Sequence, residues 1–421
     1  MKLEVTSPNY AATIVRTRVV LPLERCDNLV GLPFFGMQAI VSIGAKEGEL
    51  GILFPTEAQL SNEFCEANNL FRHAELNIDK AKQGYLEDNR RVRAIKLRGN
   101  RSDALFMSLD SLAYLGIKTN ELIEGQVFNT INGHEVCRKY FVPVRVQGPA
   151  NKIHRVRDIR VEGKHMPEQP DIHHFLREVE GLPQDAPVIV TQKLHGANIR
   201  IANIIVRRRL TIRDRIAKML GVRVQEQTYD YIYGSHKVIK DAESATQQHY
   251  YDFDIWSLEG AKLKGLIPTG FILYGELVGW TPTGRAIQPG YTYNLPPSEA
   301  KIYIYRIATV NQEGFLCDLS WDAVREFCKN TGIAHVPELC RTSVNRLTEG
   351  LLEVFTDARF TDFEWSADPP VPLAPQSPCD EGICIRLGGL KPIILKYKSP
   401  TFVAHETRVL DTGEANIEET T

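Results

Sequence analysis

A chain of 421 residues exceeds what one ordinary hydrophobic core takes up, so two domains are expected. It is 43% hydrophobic and 24% charged with a formal net charge of −2, the balance of a globular chain rather than a disordered or globally basic one. No window holds the run of about 18 apolar residues that a membrane-spanning helix needs, and no membrane partner is expected.

The first residues, Met1-Lys-Leu-Glu-Val-Thr, lack a signal-peptide pattern, and the eight cysteines are scattered without a C-x-x-C pair. That usage implies reduced thiols in the cytoplasm (host cytoplasm for a viral chain), not a disulfide framework or a zinc site. Residues 14–23, 37–43 and 50–54 are short β-rich runs punctuated by Gly, Pro and Asp, and 57–69 reads as a helix. A basic strand over 91–97 and further short strands to residue 144 suit a small OB-like β-barrel, placed over residues 1–150. Within the basic strand Arg91 and Arg93 share a face under period two, and with Lys96 and Arg98 they are candidate phosphate contacts. The same charges also suit a solvated edge strand.

The connector over 147–165 mixes turn residues with basic charge and reads as a linker, and 171–180 as a helix between Asp171 and Gly181. Val188-Ile-Val-Thr-Gln192-Lys193 then delivers a lysine to a bend at His195-Gly196, and a second β-rich run follows. A lysine at the end of an apolar strand loses hydration, which favours its neutral, nucleophilic form. A basic excursion over 207–218 leads to Gly234-Ser235-His236-Lys237, which reads as a polar loop. Residues 271–279 form an apolar strand carrying Glu276, a carboxylate that needs a partner if buried. The strand over 301–307 places Tyr303 and Tyr305 on one face. Ser320 caps a helix that stops near Gly332, and Ser343 precedes another over 347–355. A Pro-rich loop over 369–378 leads into Glu381-Gly-Ile-Cys-Ile and Lys396-Tyr-Lys398. With Gly388-Gly389 as a two-residue hairpin loop, Glu381 falls opposite Lys396, and Lys398 shares that face.

Lys193-Leu-His195-Gly196, Tyr274-Gly-Glu276, Glu381-Gly and Lys396-Tyr-Lys398, in that order, resemble the motifs of the covalent nucleotidyltransferases, and the histidine at third place resembles the ATP-dependent RNA ligases with an N-terminal OB-fold domain. The resemblance implies an α+β fold, with a nucleotidyltransferase domain of antiparallel sheets and flanking helices over 151–410 and an acidic, disordered tail over 411–421. It implies that Lys193 takes AMP from ATP and that Lys396 and Lys398 neutralise phosphate. ATP contacts fall on Gln192, His195, Gly196, Lys237, Glu276, Tyr303, Tyr305, Lys396 and Lys398. Glu381, Glu276 and, through water, His195 would hold Mg²⁺ or Mn²⁺. The partner implied is RNA, including a nicked RNA/DNA duplex, bound by a monomer. A DNA ligase or capping guanylyltransferase would carry a further C-terminal OB domain, for which few residues follow Lys398. A non-catalytic OB-fold nucleic-acid-binding protein has no use for the retained lysines and glutamates.

Overall fold

The computed structural model describes residues 1–142, 160–241, 247, 250–251, 253–389 and 392–413. Most of the basic connector and the tail beyond residue 413 lie outside the described residues. The chain folds into two compact units, one of Met1–Pro143, His173–Gly181 and Lys398–Glu414, the other built on Leu182–Tyr397.

The first unit is organised on a seven-stranded sheet. Its strands in chain order are β1 (Ala12–Arg16), β2 (Leu21–Pro22), β3 (Leu29–Phe34), β4 (Met37–Ser42), β5 (Leu50–Pro55), β6 (Ala104–Ser108) and β7 (Val127–Phe128). They lie in the order β7-β1-β5-β6-β4-β3-β2. That order is open, so the closed barrel expected from the short strands is not formed among the described residues, while the mixed α+β class is. Alternation buries both faces: Ile14, Ile52 and Phe54 join one core with Phe64, Phe71 and Phe128, and Val15, Leu32 and Leu53 join another.

The helix expected over 57–69 is shorter. Ala58–Leu60 is a strand against Cys137–Lys139, with Ala58 and Leu60 buried and Gln59 between them less so. The helix runs over Asn62–Ala67, begun by Ser61, whose hydroxyl accepts from the Phe64 N–H at 3.1 Å. Residues 171–180 likewise give only a short helix, Phe175–Glu178, after an extended pair of histidines.

Arg91 is not a nucleic-acid contact. Only Ile95–Leu97 of the basic run is a strand, and the Arg91 side chain is 1% exposed. Its guanidinium donates to Glu57 Oε1 at 2.7 Å, to Asp411 Oδ1 at 2.9 Å and to the Thr407 carbonyl at 3.0 Å. It therefore fastens the C-terminal helix, Pro400–Asp411, into this unit. Burial nonetheless pushes the Glu57 carboxyl above its usual range. Arg93 also reaches Asp411, at 3.5 Å, which leaves Lys96 and Arg98 as the exposed members of the predicted patch. Arg91→Leu takes the guanidinium from the buried Glu57 carboxylate and should lower unfolding free energy by about 3–5 kcal/mol in urea titrations. Lys96→Ala should change it by less than about 0.5 kcal/mol.

The second unit holds two sheets. Its strands are β8 (Pro187–Lys193), β9 (Ala197–Arg207), β10 (Gln227–Gly234), β11 (Ile239–Lys240), β12 (Phe271–Gly279), β13 (Ala300–Val310), β14 (Leu316–Asp318), β15 (Glu338–Ser343), β16 (Gly382–Leu387) and β17 (Ile393–Lys398). In one sheet the neighbours run β17-β16-β8-β15; the other is six-stranded, β11-β10-β9-β12-β13-β14. The bend after Lys193 is therefore no hairpin: it carries the chain out of one sheet and into the other. The helix Trp321–Thr331 stands as read, with the Ser320 hydroxyl accepting from Ala323 N–H and Gly332 left-handed at φ 71°. Beyond Ser343 the helical stretch is broken at Gly350, φ 135°.

Between β9 and β10 the basic excursion forms a helix, Ile212–Met219, closed by a reciprocal Thr211–Asp214 capping box. None of its residues is buried, and Ile212 and Met219 are 76% and 80% exposed.

Candidate functional site

Lys193 is the last residue of β8, and its neighbour across the sheet is Gly382 of β16. Gly382 stands at φ 145°, a conformation that favours glycine. The ammonium meets Glu381, the residue just before β16: Nζ lies 2.8 Å from Oε1, and the carboxylate is 1% exposed. His195 Nδ1 is 3.8 Å from the other oxygen of Glu381. The ring of His195 rests edge-on against Tyr291, with centroids 5.2 Å apart.

Glu276 reaches the same turn from the second sheet. It lies within β12 rather than at its end, is buried, and accepts the Gly196 N–H on Oε1 at 2.8 Å. The partner that a buried carboxylate needs is thus a backbone amide. Gly196 fits only because it lacks a side chain: an added Cβ would stand 2.3 Å from the Leu277 carbonyl oxygen. Tyr303 pairs with Glu276 across the β12–β13 ladder and so shares its face. It also lines an open cavity of about 500 Å³ with Ile333, His335, Pro337 and Val371. Tyr305 instead accepts from the Asn198 amide at 2.6 Å.

Cys384 ties Lys396 to this group. Burial raises its thiol pKa, while Lys193, Arg386 and Lys396 lower it and Glu381 raises it, so all four lie within electrostatic reach of one sulfur. Lys398 closes β17, and its ammonium is bound by both oxygens of Glu406 at 2.9 and 3.0 Å. β16 ends at Leu387 and β17 begins at Ile393, and the two-residue loop expected at Gly388-Gly389 would be closed at residue 390, which lies outside the described residues. The facing of Glu381 and Lys396 involves a loop that includes residues outside those described.

Gln192 does not offer its amide to a ligand. It donates to Val371 O at 3.1 Å and Asp380 Oδ1 at 2.7 Å, and accepts from Val371 N–H at 2.7 Å. Its position in β8 makes it a buried brace for the Pro-rich loop. Burial pushes the Asp380 carboxyl up to about 6, against hydrogen bonds from Phe360 N–H and Gln192 that favour the carboxylate. Between about pH 4 and 6 the folded chain therefore holds a proton that the unfolded chain has released, and stability falls as pH rises through that window. Relative to Asp380→Asn, the wild type should lose about 2–3 kcal/mol of unfolding free energy from pH 4 to 7 in urea titrations. A pH-independent difference between the two would refute the assignment.

Lys237 sits half-buried in a turn where Ser235 N–H meets Val238 O at 2.9 Å. Arg200, in β9, holds that turn and was not singled out by the motifs. It is buried and donates to the Ser235 carbonyl at 2.7 Å and to the Met166 and Pro167 carbonyls at 3.0 and 2.9 Å. Its signal in the sequence is a charge inside an apolar strand, Ile199-Arg200-Ile201, which has to be paired. Gln288, Tyr291 and Tyr293 also reach the His195-Gly196 turn, but their stretch, Gln288-Pro-Gly-Tyr-Thr-Tyr, reads only as a turn-rich loop.

The RNA ligase family model matches residues 186–398, half of the chain and all of this geometry but Glu406, Met166 and Pro167. No curated protein sequence matches. Among solved structures the chain is similar to an RNA ligase of Naegleria gruberi. A mutant of that protein with ATP and Mn has 15% identity over 96% of this chain and 99% of that one, TM-score 0.59. A second mutant, with AMP and Mn, has 15% identity over 94% and 98%, TM-score 0.58. The same ligase with PPi has 15% identity over 96% and 100%, TM-score 0.57. These likenesses show a shared fold along nearly the full length, and the family model spans the stretch that holds Lys193, the turn and both carboxylates: the chain belongs to the RNA ligase family.

Proposed function

We propose that the protein is an ATP-dependent RNA ligase that joins a 3′-hydroxyl to a 5′-phosphate through a lysyl-AMP. The observation that carries this is Lys193, placed where two sheets meet and held 2.8 Å from a buried carboxylate. The ammonium first loses a proton, and Glu381 Oε1 is the acceptor in reach. The Nζ lone pair then forms a P–N bond to the α-phosphorus of ATP as the bridging P–O bond breaks, that electron pair leaves with pyrophosphate, and the nitrogen releases its second proton to solvent. AMP passes to the 5′-phosphate of the RNA, the 3′-hydroxyl attacks that phosphate, and AMP departs. All three steps are substitutions at phosphorus, for which fixed geometry and charge neutralisation are the main levers.

Glu276 and Glu381 offer oxygen donors, which fit a hard divalent cation such as Mg²⁺ or Mn²⁺ completed by water and phosphate. Such an ion would neutralise phosphate oxygens. Lys396 adds a fixed positive charge, and Lys398 a second once it exchanges Glu406 for phosphate. Tyr303, beside an open cavity and on the face of Glu276, is the better platform for adenine than Tyr305, whose hydroxyl is engaged. The N-terminal unit, read as an OB-like RNA-binding module, presents Lys96 and Arg98 on an exposed hairpin. All eight cysteines are free, in keeping with a cytoplasmic setting.

Incubation with α-labelled ATP or GTP and a divalent metal, followed by a denaturing gel, tests the reading. Label from ATP should remain on the protein, and a nicked RNA duplex should then be sealed with release of AMP. Label from GTP alone, or none, would overturn it.

A further inference from the structure

The backbone of the His195-Gly196 turn is fixed by side chains far away in sequence. His195 N–H donates to the Tyr293 hydroxyl at 2.5 Å, Gly196 N–H to Glu276 at 2.8 Å, and the Gln288 amide donates to Gly196 O at 2.8 Å. Two of these three holds come from the loop between β12 and β13. That loop is itself fastened: Tyr251 donates to Ile287 O at 2.8 Å, Tyr291 to Cys379 O at 2.9 Å, and Trp280 to Leu295 O at 3.0 Å. Ile287, Gln288, Tyr291 and Tyr293 are all buried. Tyr293 and Asn294 stand at φ 52° in succession, a conformation uncommon for residues with side chains. Such backbone persists where surrounding contacts over-determine it, and it gathers at functional sites.

We infer that Tyr293 and Gln288 are positioning residues of the ligase, aligning Lys193 for its attack on ATP by gripping the turn that follows it. This rests on the proposed function. Neither residue belongs to the four motifs that identify the site, and neither side chain has an ion to pair with: each acts through a neutral hydrogen bond on the main chain. Lys193 is joined to His195 through the buried Leu194, so a turn released on one side changes where Nζ stands relative to Glu381. In-line attack tolerates little displacement, and about 1 Å of misplacement can cost on the order of 100-fold in rate. The first step depends on Nζ itself, whereas sealing of an RNA already carrying AMP on its 5′-phosphate does not use that nucleophile.

Tyr293→Phe and Gln288→Met each remove one hydrogen bond and keep most of the side-chain volume. The rate of lysyl-AMP formation, its KM for ATP, the rate of sealing a pre-adenylylated RNA and the melting temperature should be measured for both. Lysyl-AMP formation should slow about 10- to 100-fold at saturating ATP. KM for ATP and sealing of the pre-adenylylated strand should stay within about threefold of wild type. Equal losses in both reactions, or an unchanged first step, overturn the inference. If Tyr293→Phe does not fold, Gln288→Met decides alone from the opposite side of the turn. A wild type that forms no lysyl-AMP refutes the ligase reading instead.

Discussion

Lys193→Ala should leave no AMP on the protein, a loss on the order of 10⁴-fold or more, because it removes the amine that stands where the two sheets meet, 2.8 Å from the Glu381 carboxylate. Lys193→Arg should fail as completely, since a guanidinium keeps its charge at any workable pH and cannot supply a lone pair. The substitution also touches stability. Removing the ammonium breaks a buried ion pair with Glu381, whose side chain is 1% exposed, a loss of about 3–5 kcal/mol. Pairing Lys193→Met with Glu381→Gln should recover much of that stability while adenylylation stays absent. Gel labelling with α-labelled ATP and urea titration read the two effects separately. A surviving label on Lys193→Ala would place the nucleophile elsewhere.

Gly196→Ala should be nearly as damaging with a change of one methyl group. Its Cβ would meet the Leu277 carbonyl at 2.3 Å and Val278 Cγ1 at 2.8 Å, both on β12, a strand paired on either side. The strand cannot yield, so the turn must move. That movement breaks the Gly196 N–H bond to Glu276 and shifts Lys193 with it. Overpacking of this kind costs about 1–3 kcal/mol of stability, and the misplaced amine should slow lysyl-AMP formation by about 100-fold or more. A variant that melts like wild type and adenylylates at the wild-type rate would show the turn to be softer than its contacts imply.

The residues that meet at the His195-Gly196 turn were legible where they sit in short, local stretches. Lys193, His195, Gly196, Glu276 and Glu381 converge as their motifs suggest, and Lys396 lies near the same sulfur. The sequence could not show that Lys193 and Ala197 belong to different sheets, because a bend between two β-rich runs looks the same in a hairpin and in a crossing from sheet to sheet. Arg91 misled for a related reason. Period two places it beside Arg93 on paper, yet its partners, Glu57 and Asp411, are distant along the chain, and only the fold brings them into contact. Gln192 was read as an ATP contact from the family resemblance, while the fold turns it onto Val371 and Asp380. Tyr293 and Gln288 carry no pattern at all, since a grip on main-chain atoms depends on position and not on the identity of the residue gripped.

The helix Ile212–Met219 adds something different to the architecture. Arg207 and Gln227 face each other as the outermost rung of β9 and β10, so the chain departs and returns at points about 5 Å apart. Everything between them is a graft on a ladder already complete without it. Lengthening, trimming or replacing that graft changes neither rung nor register, which makes it the natural place to attach a fluorophore or a guest domain without disturbing the His195-Gly196 turn before the other end of β9.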